Sequence, residues 1–206
     1  MRKVAVQALD TITREAAGEI PFGAFVKRSA TGTCIVAVDG SNTLGYEGIA
    51  EDSTVGTTTD GFYSTYDAVP VITAGRVDVW LQGGGTDVTS GCFLKLINDF
   101  GILALDSATT RSISTSVAKA LEDVEVSDYT TSITSCTAGT KTVSVASTTY
   151  IAEGDYVYLT SSEGSEVEKV ASVDSSTQIT LEEAPAYSHE TSASCNVLVQ
   201  CEALLL

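Results

Sequence analysis

Long apolar runs, prolines, histidines and paired cysteines are all scarce in this chain, and each shortage removes a class of answer. No stretch approaches the roughly 20 apolar residues of a membrane-spanning helix. The opening MRKVAVQALDTITREAAG puts Asp10, Arg14 and Glu15 where a signal peptide needs an unbroken apolar core. The expectation is a chain made in a cytoplasm, with no membrane partner. His189 is the single histidine, and the five cysteines (Cys34, Cys92, Cys136, Cys195 and Cys201) contain no C-x-x-C pair. Neither a zinc ligand set nor a disulfide framework is expected, and no cofactor or metal is implied. Most of the cysteines stand in apolar runs such as TCIVAV and NVLVQC, where a free thiol behaves as a small buried hydrophobe.

Basic residues are also few. There are 11 Lys and Arg against 27 Asp and Glu, a net charge of −16. Five of the bases, Arg2, Lys3, Arg14, Lys27 and Arg28, lie in residues 1–28 beside three acids, a local balance of +2 that leaves −18 on the rest. A body this acidic repels phosphate backbones, so direct binding of nucleic acid is not expected.

What the chain has in abundance is strand-forming sequence. Its 206 residues are 43% hydrophobic with a mean hydropathy of +0.17, enough to build one sizeable core or two small ones. Short runs rich in Val, Ile, Thr and Tyr alternate with clusters of Gly, Asp, Asn and Ser about every 8 to 12 residues, the pattern of a sandwich or barrel. Only Ser116 to Glu122 reads as a short helical turn. The fold expected is all-β.

An internal repeat runs through that pattern. Gly23-Ala24-Phe25-Val26-Lys27 recurs as Gly91-Cys92-Phe93-Leu94-Lys95, and more loosely as Gly154-Asp155-Tyr156-Val157-Tyr158. The first two copies run through a hairpin to a Glu-Asp pair, Glu51-Asp52 and Glu122-Asp123, with VDGSN and NDFG as the expected turns. From about Tyr129 the composition shifts to Ser and Thr. The apolar end, CNVLVQCEALLL, reads as a strand that closes the first domain by pairing with DVEVSDY at 123–129. The expected organisation is therefore an N-terminal arm over 1–19, a barrel-like or sandwich-like duplicated domain over 20–129 closed by 196–206, and an inserted β-module over 130–195, with two tandem domains as the competing arrangement.

Candidate chemistry is sparse. His189, in AYSHETSAS, reads as an exposed loop histidine, with no G-x-S-x-G elbow nearby. Asp99-Phe100-Gly101 matches a kinase magnesium signature without any other kinase element and reads as a hairpin tip. Gly83-Gly84-Gly85 lacks the Lys-Ser/Thr of a phosphate loop and reads as a flexible connection. The Glu-Asp pairs are the remaining candidates for acid-base work or calcium. Adjacent strand residues face opposite ways, so only one of each pair can enter a common site. The residues point to no catalytic set.

The series AAGEIPFGAFVK, LGYEGIAED, VPVITAGRVDVWLQGG, VTSGCFLKL and VAKALEDV, in this order and spacing over residues 16–127, resembles that of tailed-phage capsid decoration (cement) proteins. The resemblance implies a β-barrel-like virion protein on the outer surface of an icosahedral capsid, commonly a homotrimer. It would bridge subunits of the major capsid protein and be synthesised in the host cytoplasm. The less acidic N-terminal region, with Arg2, Lys3, Arg14, Lys27 and Arg28, is then the expected capsid contact. Two other readings are a phage fibre or receptor-binding component with 130–195 as its head, and a small β-scaffold hydrolase or lyase using the Glu-Asp pairs.

Overall fold

The computed structural model describes residues 5–18, 20–21, 24–29, 32–36, 46–51, 62–98, 100–112 and 115–206. All regular structure among them is β, as the composition predicts. Ten strands precede residue 125: β1 (Ala5–Glu15), β2 (Ile20–Pro21), β3 (Phe25–Arg28), β4 (Cys34–Val36), β5 (Tyr46–Ala50), β6 (Phe62–Tyr63), β7 (Ala68–Gln82), β8 (Phe93–Leu96), β9 (Ile102–Ser107) and β10 (Ser116–Ala120). Six follow: β11 (Thr130–Ser135), β12 (Thr142–Val145), β13 (Tyr156–Thr160), β14 (Ser165–Ser175), β15 (Gln178–Leu181) and β16 (Ser194–Leu205). The chain divides into two compact units. Unit 1 is residues 1–81, 87–124 and 200–206, and unit 2 is 82–86 and 125–199.

Unit 1 contains the expected duplication, and the backbone ladders carry it. In the first copy β3 pairs antiparallel with β4 on one side and β5 on the other. In the second, β8 pairs antiparallel with β9 and β10 in the same way. Phe25 lies opposite Ile49 and Val26 opposite Gly48; Phe93 lies opposite Lys119 and Leu94 opposite Ala118. Each ladder then slips by one residue, at Glu47 and at Val117, before Lys27 meets Tyr46 and Lys95 meets Ser116. The Ala50 N–H donates to the Ala24 carbonyl at 2.9 Å, and the Ala120 N–H donates to the Cys92 carbonyl at 2.9 Å. A bulge conserved in place between two copies of one ladder fixes their alignment residue by residue.

Each copy then gains a fourth strand beyond its third. β7 pairs antiparallel with β5, placing Ile72 opposite Ile49, and β16 pairs antiparallel with β10, placing Ala203 opposite Ala120. The two differ in what lies between. The first copy reaches its fourth strand by residue 68, whereas the second does so only after unit 2. Residues 125–199 of unit 2 are thus inserted between the third strand of the second copy and the unit 1 part of its fourth.

Two sequence expectations are corrected here. Ser116–Ala120 is strand β10, not a helical turn, because β8 and β16 supply hydrogen-bonding partners on both sides. The C-terminal strand pairs in unit 1 with 118–120, and it meets the expected segment 123–129 at its end, where the Tyr129 carbonyl accepts the Val197 N–H at 3.0 Å. The N-terminal stretch also carries more order than an arm without strand pattern. β1 runs antiparallel along β7, with Ile12 opposite Val71 and Arg14 opposite Val69, and Ile12 packs against the cluster of Ala16, Ile20, Ala24, Val26, Ala50, Tyr63, Val69 and Val71. Of the two expected hairpin turns, NDFG is the β8–β9 connection, where the Asn98 side chain accepts the N–H groups of Phe100 and Ile102 and Gly101 takes φ 74°. VDGSN lies outside the described residues, as do Gly23, Asp52 and Asp99.

Unit 2 has its own core, including Ile133, Val143, Val145, Val157, Leu159, Val170, Ile179, Leu181 and Cys195, all at most 1% exposed. β11, β12, β15, β14 and β13 form a run of antiparallel neighbours. The first half of β16 closes it by pairing with both β13 and β11. Gly154 before β13 and Gly91 before β8 both take the left-handed conformation, φ 90° and 93°, which explains the glycine that opens each of these strands.

Candidate functional site

Of the five cations proposed as capsid contacts, Arg2 and Lys3 lie outside the described residues. Lys27 and Arg28 sit on β3, half-buried and exposed. Arg14 projects from β1 to Glu47, its Nε and Nη2 donating to the two carboxylate oxygens at 2.8 and 2.9 Å. This paired geometry, with weaker help from Arg28, holds the Glu47 carboxyl below its usual range. The structure therefore gathers Arg14, Arg28 and Glu47 in one neighbourhood of the first copy, and Arg14 is already engaged.

The Glu-Asp pairs do not stand at equivalent positions of the two copies, and Asp52 lies outside the described residues. Ala50 and Ala120 are equivalent and fully buried, so Glu51 corresponds to Leu121 and not to Glu122. The Glu51 N–H donates to the Pro70 carbonyl and the Leu121 N–H to the Glu202 carbonyl, each 2.9 Å. The Glu122 carboxylate receives the Glu202 N–H at 2.7 Å, and the Asp123 carboxylate receives the Ser90 N–H at 2.7 Å. These acids cap backbone at the ends of strands. Glu122 also lines an open, acidic depression of about 400 Å³ with Asp78, Gln200 and Glu202.

His189 overturns its reading as an exposed loop residue: it is 2% exposed and sits in a cluster no sequence motif announces. Its Nε2 lies 2.8 Å from Glu166 Oε1 on β14, and its Nδ1 lies 2.9 Å from Ser161 Oγ in the β13–β14 turn. A carboxylate only accepts, so the Glu166 contact suits the tautomer with Nε2–H, in which Nδ1 accepts the Ser161 hydroxyl proton. Serine, histidine and carboxylate are the parts of a nucleophilic relay, and their surroundings decide their use. The Glu163 N–H already donates to Ser161 Oγ at 3.3 Å, and the Glu190 carboxylate takes both the Ser162 N–H and its hydroxyl at 3.2 Å. The two amides that follow Ser161 are thus already engaged within the protein. Glu166 further accepts the Ala186 and Tyr187 N–H groups, and a Cβ on Gly164 would lie 2.8 Å from the Tyr187 ring. The cluster clamps the 161–164 turn to the 185–190 segment. Close by, burial and the charges of Glu166 and Glu183 push Glu168 up to about 7.

Burial likewise pushes the Cys195 and Cys201 thiols up to about 12 and raises Cys136. Thiolate is scarce at such sites, so these cysteines act as core hydrophobes, as the apolar run around Cys195 and Cys201 predicts. Gly83-Gly84-Gly85 is not a slack connection. The Gly83 N–H donates to the Val197 carbonyl and the Gly84 N–H to the Val126 carbonyl, at 2.9 and 2.7 Å. A Cβ on Gly83 would lie 1.9 Å from the Tyr129 carbonyl oxygen. The first two glycine amides are therefore occupied, and the segment is a packed part of unit 2.

Beside it lies a small cleft lined by Thr130, Thr131, Ser147, Thr149, Tyr150, Ile151 and Val197, with a volume of about 120 Å³. Tyr150 is among the few exposed large hydrophobic residues described. Sequence reasoning passed over it because a tyrosine in a Ser/Thr-rich stretch carries no motif.

No protein-family model, curated protein or solved structure matches the chain.

Proposed function

We propose that the protein is a virion structural component that binds the outer surface of an icosahedral capsid and stabilises it by bridging subunits of the major capsid protein. The observation that carries this reading is the confinement of the decoration-like series, apart from Gln82-Gly83-Gly84 and its final residues, to unit 1. There its Gly-x-Phe-x-Lys strands and their small-residue ends are two copies of one four-strand element.

Charge supports the same assignment. Unit 1 holds nine of the 11 bases against 16 acids, a net −7 over 126 residues. Unit 2 holds two bases against 11 acids, a net −9 over 80 residues. Unit 1 is the less self-repelling surface to lay on a shell, with Lys27 and Arg28 at its β3 strand. The mechanism is linkage. A protein that binds only the assembled shell stabilises it by mass action, and a homotrimer gains avidity from each contact of standard size, about 1,600 Å² in total.

Mixing the purified protein with expanded phage shells tests this directly. Saturable binding at hundreds of copies per particle, with greater heat resistance than undecorated shells, is expected. A handful of copies would instead favour the fibre reading. No binding, together with unchanged heat resistance when the protein is omitted, overturns the proposal.

A further inference from the structure

We propose that unit 2 carries a binding cleft for a single neutral sugar ring, with Tyr150 as the stacking platform and Asp128 with the surrounding hydroxyls as hydrogen-bonding partners. This rests on unit 2 alone and does not depend on how unit 1 is used.

The chemistry of the lining selects the ligand class. A sugar ring presents an apolar C–H face on one side and hydroxyls around its rim, and it needs a surface that offers both. The cleft has an aromatic ring that is 45% exposed, an apolar floor of buried Ile151 and Val197, and four hydroxyl side chains, Thr130, Thr131, Ser147 and Thr149. Each hydroxyl has one donor and two acceptor positions, so those already paired within the protein keep capacity for a ligand. The Tyr150 hydroxyl donates to the exposed Asp128 carboxylate at 3.3 Å, a long bond that leaves acceptor positions at that carboxylate. The cleft offers about 120 Å³, several times the roughly 10–15 Å³ that one water needs on the same scale, so a single ring can enter it.

Charge narrows the class further. Neither Lys nor Arg lines the cleft, Asp128 stands at its aromatic wall, and unit 2 as a whole is at −9. Phosphorylated and carboxylated ligands are therefore disfavoured, which excludes nucleotides despite the stacking surface. The walls are fixed before any ligand arrives. Tyr129 packs on the unit 2 core and meets the Tyr150 ring at 5.4 Å with a 48° tilt. Thr130 Oγ1 donates to Asn196 at 2.6 Å, and Thr131 Oγ1 receives the Ser147 N–H at 3.1 Å. Gly84 lies so close that a Cβ there would come within 2.7 Å of Thr130. Walls this constrained keep the ordering cost of binding low.

Titrating the ¹⁵N-labelled full chain with glucose, galactose, mannose and N-acetylglucosamine, followed by amide chemical shifts, tests the proposal. At least one sugar should move the amides of 130–131 and 147–151 with a dissociation constant of about 1–10 mM. Tyr150→Ala should weaken that binding about tenfold and Tyr150→Phe much less, since the ring is kept. Should Tyr150→Ala disturb the fold, Asp128→Ala, at an exposed side chain, should still weaken binding several-fold. The proposal is overturned if none of the four sugars shifts these amides, if the shifts map elsewhere, if neither Ala variant weakens them, or if sialic acid binds as well as the neutral sugars.

Discussion

The two copies of the four-strand element in unit 1 share a ladder, a bulge and a closing alanine, yet they spend the same positions differently. Phe25 in the first copy is 1% exposed, whereas its counterpart Phe93 is half-buried with the Lys119 ammonium 5.8 Å from its ring centre. Gly48 in the first copy is Ala118 in the second, and the bulged residue is Glu47 in one and Val117 in the other. Backbone topology is what the duplication keeps. Side-chain burial is set by what each copy packs against, so equal sequence positions do not predict equal energetic roles.

The sharpest way to test that difference is to truncate both aromatics. Phe25→Ala removes one of the largest fully buried side chains and should cost about 3–5 kcal/mol. Phe93→Ala loses only part of a buried ring and a cation–π contact, about 1–2 kcal/mol. Urea denaturation of the full chain reads both, and equal losses would mean that the copies are energetically as well as topologically repeated.

The next largest contrast lies at the Gly48 and Ala118 pair. A Cβ on Gly48 would sit 2.0 Å from the Ile72 carbonyl oxygen, a backbone atom of β7 that cannot swing aside. Gly48→Ala should therefore cost about 1–3 kcal/mol through displacement of β5 from β7. The reverse change, Ala118→Gly, should cost about 1–2 kcal/mol, through added freedom of the unfolded chain and loss of one buried methyl, with no displacement of a strand. If Gly48→Ala is neutral in thermal denaturation, β7 does not approach the first copy as closely as β5 pairing requires.

The repeat was legible in the sequence because Gly-x-Phe-x-Lys carries its mechanism locally, as the second copy displays it: left-handed Gly91 and then the alternating strand β8. Unit 2 was legible as a shift to Ser and Thr, though Gly83-Gly84-Gly85 joins it from 40 residues away, which only tertiary contact can reveal. Ser116–Ala120 misled because Ala and Lys favour helix when no partner strand is considered, and β8 and β16 override that preference. The His189 cluster was illegible for a related reason. Ser161, Glu166 and His189 come from a turn, a strand and a later loop, and polar neighbours on each side of His189 mimic an exposed segment.

The smallest effect concerns the bulge itself. Glu47 is stabilised as a carboxylate by Arg14, so its proton affinity is lower in the folded chain than the usual value of 4.5. A depressed carboxyl contributes stability that is present above that usual value and is lost as the pH falls through the folded one. The pair is partly exposed, so Glu47→Gln should cost no more than about 1 kcal/mol at pH 7, and less in high salt. The gap between wild type and variant should close as the pH drops below 4. Val117→Gln probes the equivalent bulge and should show no such closing gap, because no carboxylate is lost there. A Glu47→Gln penalty of the same size at pH 3 and pH 7 would place the cost in packing at the bulge, and the two copies would then share its energetics after all.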